Sequence, residues 1–413
     1  MLESDLILLL IQLAALLCVG TIMGCLADKL GFPKVAGELV GGILLGPTVL
    51  GTLSPESMAF LFPASGPSFV AREGFVKIGL LFFLLFAGME LNRVHLKSNG
   101  RSVIWSSLFG IVIPFSLGWS FVMVFPVIAG AAGLANRQVP ALFLGTALSI
   151  SALPVIAKIL MDLRLIRDRF GTLVMSAATI DDLVGWTLFS ALLSHFRGGI
   201  FSWQVLGLKS LALFAVVAVV IFLERPVQAF FARCRTTLHQ NVLISFVLGL
   251  TLLGAAAAQA FGIHAVFGAF LVGALLAPGS EHWDELHSAI SRFVSNFFAP
   301  LYFTSLGLKV NFAAHFDLKL VFAVLLIACV GKISGVMAGA RLGGLPRNEA
   351  LALGFAMNAR GAMEIILASI ALEHGMIHEA MFVALVIMAL VTSIMSGPAI
   401  RSLLAVRTPA GAV

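Results

Sequence analysis

Gly37-Glu38-Leu39-Val40-Gly41-Gly42-Ile43-Leu44-Leu45-Gly46-Pro47 returns in the second half of the chain as Gly268-Ala269-Phe270-Leu271-Val272-Gly273-Ala274-Leu275-Leu276-Ala277-Pro278. Two further echoes follow in the same order. Leu81-Phe82-Phe83-Leu84-Leu85-Phe86-Ala87-Gly88-Met89-Glu90-Leu91-Asn92 resembles Leu301-Tyr302-Phe303-Thr304-Ser305-Leu306-Gly307-Leu308-Lys309-Val310-Asn311, and Leu144-Gly145 opens a stretch matched by Leu353-Gly354. One such echo between glycine-rich apolar stretches arises by chance; three in the same order make an internal repeat.

Composition says what the repeat is made of. Hydrophobic residues are 60% of the 413 and charged residues 11%, outside the range of soluble domains. Apolar segments near the ~20 residues that cross a bilayer fall at 6–27, 34–53, 74–92, 102–126, 138–161, 170–195, 203–224, 240–260, 262–279, 292–313, 319–341, 347–373 and 378–403. This predicts an all-α polytopic membrane protein of about 13 transmembrane helices. Seven helices separate the copies, an odd number, so helices two to six and nine to thirteen run in opposite directions. Such inverted five-helix repeats build many alternating-access transporters.

Basic residues give the orientation. With the N-terminus outside, inward loops carry most of the Lys and Arg, among them Lys29, Lys34, Arg93, Lys97, Arg101, Arg164, Arg167, Arg169, Arg233 and Arg235. Outward loops and helix ends carry Arg72, Lys77, Arg137, Arg197, Lys309 and Lys319. Retention of Lys and Arg on the cytoplasmic side therefore predicts N-terminus out and C-terminus in. Glu3 and Asp5 stand where a secretory signal carries cations, so 6–27 reads as a retained first helix. The net charge of +6 lies in short loops rather than in one face, which argues against a nucleic-acid partner. Cys18, Cys25, Cys234 and Cys329 have no paired spacing that would suggest a disulfide framework or a metal knuckle.

Against this apolar background the central charges stand out. Asp181 and Asp182 lie in the middle of Phe170–Leu193, Lys332 in Leu320–Ala340 and Arg360 in Ala350–Leu372. Each buried charge costs ~2.5–3.5 kcal/mol even on the translocon-insertion scale, so these groups must face water, an ion or one another. Lys209, near the start of the seventh span, can snorkel instead. The fifth span carries Thr146-Ala147-Leu148-Ser149-Ile150-Ser151-Ala152-Leu153-Pro154, and its repeat mate carries Asn358-Ala359-Arg360-Gly361. Both are expected to unwind and cross near the midplane. Arg360 then either balances the exposed helix ends or pairs with Glu364 one turn on, roles that are compatible.

Adjacent helix positions point about 100° apart, so one acid lines the pathway while the other meets a partner, for which Lys332 is suited. A carboxylate that alternately holds an alkali cation and a proton is sufficient for exchange. Ser149, Ser151 and Thr179 offer hydroxyl oxygens to such a cation, though each also fits a hydroxyl bonded to its own helix. His264, at a helix start, reads as a cap or as a pH sensor.

In order along the chain, Pro33-Lys34-Val35-Ala36-Gly37-Glu38 with Gly46-Pro47, Phe86-Ala87-Gly88-Met89-Glu90, Ala178-Thr179-Ile180-Asp181-Asp182, Val330-Gly331-Lys332 and Met357-Asn358-Ala359-Arg360-Gly361-Ala362-Met363-Glu364 resemble motifs of the monovalent cation:proton antiporter superfamily. The branch is that of bacterial sodium/proton and Kef-type potassium/proton antiporters and plant cation/proton exchangers. The resemblance implies a sodium/proton antiporter fold with crossed discontinuous helices, and an antiporter rather than an enzyme, with no cofactor. Its cargo would be Na⁺ or K⁺ and H⁺. It assigns Asp182 as the obligatory cation- and proton-binding carboxylate, Asp181 as the variable acid before it and Lys332 as that acid's partner. It further implies a core of 102–195 and 319–403, a dimerisation part of 1–93 and 240–313, and a linker helix of 203–224. Elevator-like movement, a homodimer in the bilayer and a bacterial inner (cell) membrane location follow from it. So does a role in pH homeostasis. In the superfamily a double acid with a lysine is associated with electrogenic exchange. Many relatives continue into a cytosolic nucleotide-binding domain; this chain stops soon after its last span, so it either lacks one or is part of a longer protein.

Three rivals fit less well. An intramembrane aspartyl protease needs two aspartates converging from different helices, and a channel needs a filter-like sequence that is absent. An ion-coupled symporter of an organic anion on the same inverted-repeat fold is the alternative that remains, against which the lysine facing a double acid favours exchange of small cations.

Overall fold

The structure, a computed structural model, describes residues 3–30, 32, 34–89, 100–131, 137–166, 168–196, 240–261, 264–276 and 284–404, with scattered positions between 204 and 229. The seventh span, Lys209, Cys234 and the Glu90–Asn92 end of the second echo lie largely or wholly outside the described residues. Every described element is helical: α1 Glu3–Lys29, α2 Lys34–Leu45, α3 Leu50–Leu53, α4 Pro55–Leu61, α5 Pro67–Met89, α6 Gly100–Val124, α7 Gln138–Ser149, α8 Leu153–Asp162, α9 Arg169–Phe196, α10 Gln240–Ala260, α11 Ala265–Leu275, α12 Asp284–Phe293, α13 Ala299–Gly307, α14 Leu318–Leu342, α15 Arg347–Met357, α16 Ala362–Glu373 and α17 Glu379–Leu403. Among the described residues six helices are long and apolar enough to cross a membrane, or seven if the bent pair α15 and α16 counts as one span.

The chain divides into two compact units, residues 1–91 with 207–315 and residues 92–206 with 316–413. In the first unit the repeat is visible in its closest contacts. A Cβ on Gly42 would stand 1.9 Å from Thr304 O and 2.9 Å from Gly307 Cα; on Gly273 it would stand 2.1 Å from Leu85 O and 2.9 Å from Gly88 Cα. Only glycine lets these backbones touch, so α2 lies on α13 as α11 lies on α5. Gly37 likewise approaches Met23 O and the Ala27 Cβ, and Gly268 approaches Gly254 O and the Ala258 Cβ, at the same spacings along the chain. The equivalence thus reaches α1 and α10, one helix beyond the five-helix units read from the sequence.

Local chemistry sets the helix ends. α2 stops at Leu45 because the residue before Pro47 is pushed out of helical conformation. Pro300, in the first turn of α13, has no N–H to give to the preceding turn, and a π turn at Val294–Phe298 joins α12 to α13. The tenth span stays helical across this turn, from Asp284 to Gly307, with the winding widened at Val294–Phe298. His264 caps α11, its Nδ1 accepting from Val266 N at 3.3 Å.

The second unit contains α6–α9 and α14–α17. Here too the copies match: a Cβ on Gly145 would lie 2.8 Å from Phe115 O, and one on Gly354 would lie 2.8 Å from Ile333 O. Two helices are interrupted. α7 gives way to α8 across Ile150-Ser151-Ala152, and α15 to α16 across Asn358–Gly361 with a 44° bend. Pro154 falls just after the first interruption rather than within it, in the opening turn of α8, where a missing N–H costs nothing.

Candidate ion-binding site

The two interruptions meet. Ala152 N donates to Ala359 O at 3.0 Å, a main-chain bond between residues of opposite repeats. Ser151 Oγ lies 2.7 Å from Met357 O and 3.2 Å from Asp181 Oδ2, so its one proton joins the second break to the acid. Unwound backbone inside a membrane is tolerable only where its polar groups find such partners.

Lys332 reaches the crossing because its helix comes close to α6. Gly331, Gly335 and Gly339 form a stripe along α14; a Cβ at Gly335 would stand 2.5 Å from Phe109 O and one at Gly339 2.1 Å from Trp105 O. From that close-packed helix Lys332 Nζ donates to Asp181 Oδ2 at 2.5 Å, to Ser149 O at 2.5 Å and to Gly110 O at 3.0 Å. The lysine therefore closes the carbonyl end of α7 as well as pairing with the acid. Lys332 and Asp181 are both fully buried.

Arg360 stands in the second break. Its Nη1 donates to Glu364 Oε2 at 2.9 Å and to Ala147 O at 2.9 Å, and its Nη2 donates to Leu148 O at 2.6 Å. One guanidinium thus performs both of the roles that the sequence left open. Ser393 Oγ, on α17, donates to Arg360 O. Asn358 Nδ2 donates to Cys329 Sγ at 3.5 Å.

Asp182, one position beyond Asp181, is differently placed. It is buried, and its Oδ1 has no hydrogen-bond partner among the described residues; Asp181 Oδ1 and Glu364 Oε1 share that condition. The buried charged side chains described in this unit are Asp181, Asp182, Glu364, Lys332 and Arg360. With all ionised, three carboxylates against two cations leave a formal charge of −1, which one proton or one alkali cation neutralises. The hydroxyls are occupied as donors but keep their lone pairs: Ser149 Oγ lies 2.8 Å from Gly145 O and 3.0 Å from Ile111 O, which compete for its one proton, and Thr179 Oγ1 donates to Met175 O. Sequence reasoning missed Gly110 O and Ser393. A serine in an apolar helix is commonplace, and a carbonyl carries no sequence signal.

The fold and the charges it brings together define an inverted-repeat membrane protein with buried charged side chains at the crossing of its broken helices. Residues 13–406 match the family "Sodium/hydrogen exchanger, transmembrane", and the chain belongs to that family. It is an integral multi-pass membrane protein. It is 34% identical to "Cation/H(+) antiporter 17" of Arabidopsis thaliana over 96% of this chain and 48% of the relative. With "Na(+)/H(+) antiporter NhaS4" of Synechocystis it shares 32% identity over 96% of this chain and 97% of the relative. It is also 28% identical to "K(+)/H(+) antiporter 1" of Saccharomyces cerevisiae, over 96% and 46% of the two chains. The chain spans about half the length of the plant relatives it matches. The solved sodium proton antiporter MjNhaP1 of Methanocaldococcus jannaschii has the same fold, with a TM-score of 0.61 at 16% identity over 97% of this chain and 99% of that one.

Proposed function

We propose that this chain exchanges a monovalent alkali cation, Na⁺ or K⁺, for protons by alternating access, with cation and proton competing at Asp182. The observation that carries this reading is the unequal treatment of two neighbouring acids. Asp181 is engaged by Lys332 and Ser151, whereas the buried Asp182 Oδ1 has no described partner. A carboxylate ionised and alone in the bilayer is costly, so it is stable only with a proton or a cation on it. Occupancy by one excludes the other, and that exclusion couples the two fluxes. Asp181, Ser149, Ser151 and Thr179 supply the further oxygens that a hard cation requires.

The names of the relatives, which include Na⁺/H⁺ and K⁺/H⁺ antiporters, support exchange of this class. The division of the chain into two units supports an elevator-like cycle, in which residues 92–206 with 316–413 carry the site and residues 1–91 with 207–315 form the stationary, dimerising part. A homodimer in the cell membrane, N-terminus outside and C-terminus cytoplasmic, completes the proposal. The test is pH-dye fluorescence in proteoliposomes holding a proton gradient, with Na⁺, K⁺ and Li⁺ added in turn. Cation-triggered proton movement that vanishes in Asp182→Asn is expected. A response unchanged in that variant, or none in wild type, would sink the mechanism and favour the symporter.

A further inference from the structure

The repeat places a second, uncharged counterpart of the acid pair on α17. Ser151 and Arg360 are mates, each seven residues beyond the Leu-Gly that opens its stretch, Leu144-Gly145 and Leu353-Gly354. In the first copy residue 151 is bonded to Asp181, and in the second residue 360 is bonded to Ser393. The register is supported by glycine: Asp181-Asp182-Leu183-Val184-Gly185 aligns with Ser393-Ile394-Met395-Ser396-Gly397. Asp181 thus corresponds to Ser393, and Asp182 to Ile394, which is 44% exposed. The positions correspond in register; Asp181 and Ser393 are both buried, whereas Asp182 is buried and Ile394 is not, and the chain puts its carboxylates at the fully buried pair.

Ser393 is buried, and its hydroxyl reaches the carbonyl of Arg360 while lying 2.8 Å from Ala389 O of its own helix. Arg360 O stands inside the break; the first N–H of α16 to turn back, that of Glu364, bonds Gly361 O instead. The donor a continuous helix would provide is replaced by a side chain from α17. That bond fixes the main chain from which the Arg360 guanidinium reaches Ala147 O and Leu148 O, two residues and one residue before the Ser149 carbonyl held by Lys332.

We infer that Ser393 is a positioning residue for ion exchange, acting through Arg360 on the first break and so on the oxygens around the acid pair. The inference rests on the antiport reading. It separates the two cargoes, because a cation needs several oxygens held at once whereas a proton needs one. Loss of the Ser393 hydroxyl therefore weakens cation binding and leaves proton binding in place.

Ser393→Ala and Ser393→Thr, reconstituted in proteoliposomes at matched protein content, are to be compared with wild type for the half-saturating cation concentration and for the pH of half-maximal exchange. Loss of one buried hydrogen bond corresponds to a rise of about five- to tenfold in half-saturating cation for Ser393→Ala. The pH of half-maximal exchange, read with cation held at the same multiple of each protein's half-saturating concentration at alkaline pH, stays in place, and Ser393→Thr recovers to within about twofold, as expected when the donor is restored. Half-saturation in Ser393→Ala equal to wild type overturns the inference, as does a threonine variant as impaired as the alanine. If Ser393→Ala is not recovered folded, Ser393→Cys, of similar size but a weaker donor, is expected to fall between wild type and the loss predicted for alanine; wild-type half-saturation there overturns the inference equally. Absence of a cation response in the wild-type vesicles themselves would instead remove the antiport reading.

Discussion

The guanidinium of Arg360, in the break of one repeat, donates to the carbonyls of Ala147 and Leu148, in the last turn of the helix before the break of the other. The negative ends left by the interruption are thus met by a charge from the opposite half of the chain, and the same charge holds Glu364. Arg360→Ala strands a buried carboxylate, which costs about 3–5 kcal/mol. A large fall in the unfolding temperature of the purified protein is expected, with Arg360→Lys intermediate because it keeps the charge and loses the fork. Wild-type stability in Arg360→Ala would refute this role.

Lys332 and Asp181 form a coupled pair. Lys332→Ala leaves Asp181 buried without its cationic partner, at a cost of about 3–5 kcal/mol. Adding Asp181→Asn removes the stranded charge, so the double variant is expected to be more stable than Lys332→Ala alone. Thermal unfolding of the four proteins of that cycle gives the coupling energy directly; additive effects would mean the pair does not act as a unit.

On the proposed mechanism, competition at Asp182 would set the pH dependence and its sign: each proton bound there would exclude a cation, so acidification is expected to weaken apparent cation affinity. Where the site is mostly protonated, the half-saturating cation concentration rises about tenfold for each unit by which pH falls. Transport assays across a pH series check this. A half-saturation independent of pH would remove competition for a shared site.

Gly42→Ala and Gly273→Ala each set a methyl against a backbone oxygen and are expected to destabilise by similar amounts, about 1–3 kcal/mol. Gly74→Ala and Gly249→Ala, whose added Cβ meets nothing within 4 Å, serve as controls. A pair of clearly unequal losses at positions 42 and 273 would argue against their equivalence.

What was legible in the sequence had either a charge or a glycine to mark it. The echoes around Gly42 and Gly273 report backbone contact, which few residues permit, and so they carry the repeat. Asp181, Asp182, Lys332 and Arg360 were conspicuous because charge is scarce in such helices. The match of α1 to α10 was hidden, since Met23 and Gly254 contribute their carbonyls to the shared contact and a carbonyl carries no sequence signal. Ser393 was hidden for a related reason: its partner is a main-chain oxygen exposed by a bend that no residue type announces. Pro154 marked the region of the first break and misplaced it slightly, because proline suits the start of a helix as well as its interruption.

The Lys332–Asp181 bond also has a history in time. Its partners are 151 residues apart, and a ribosome adding about 5–20 residues per second needs roughly 8–30 s to pass from one to the other. During that interval the nascent chain already contains both acids but not the ammonium group that will hold one of them. Membrane insertion must therefore deliver α9 before its lysine exists, and a ribosome stalled between the two codons leaves an acidic helix waiting at the insertion machinery.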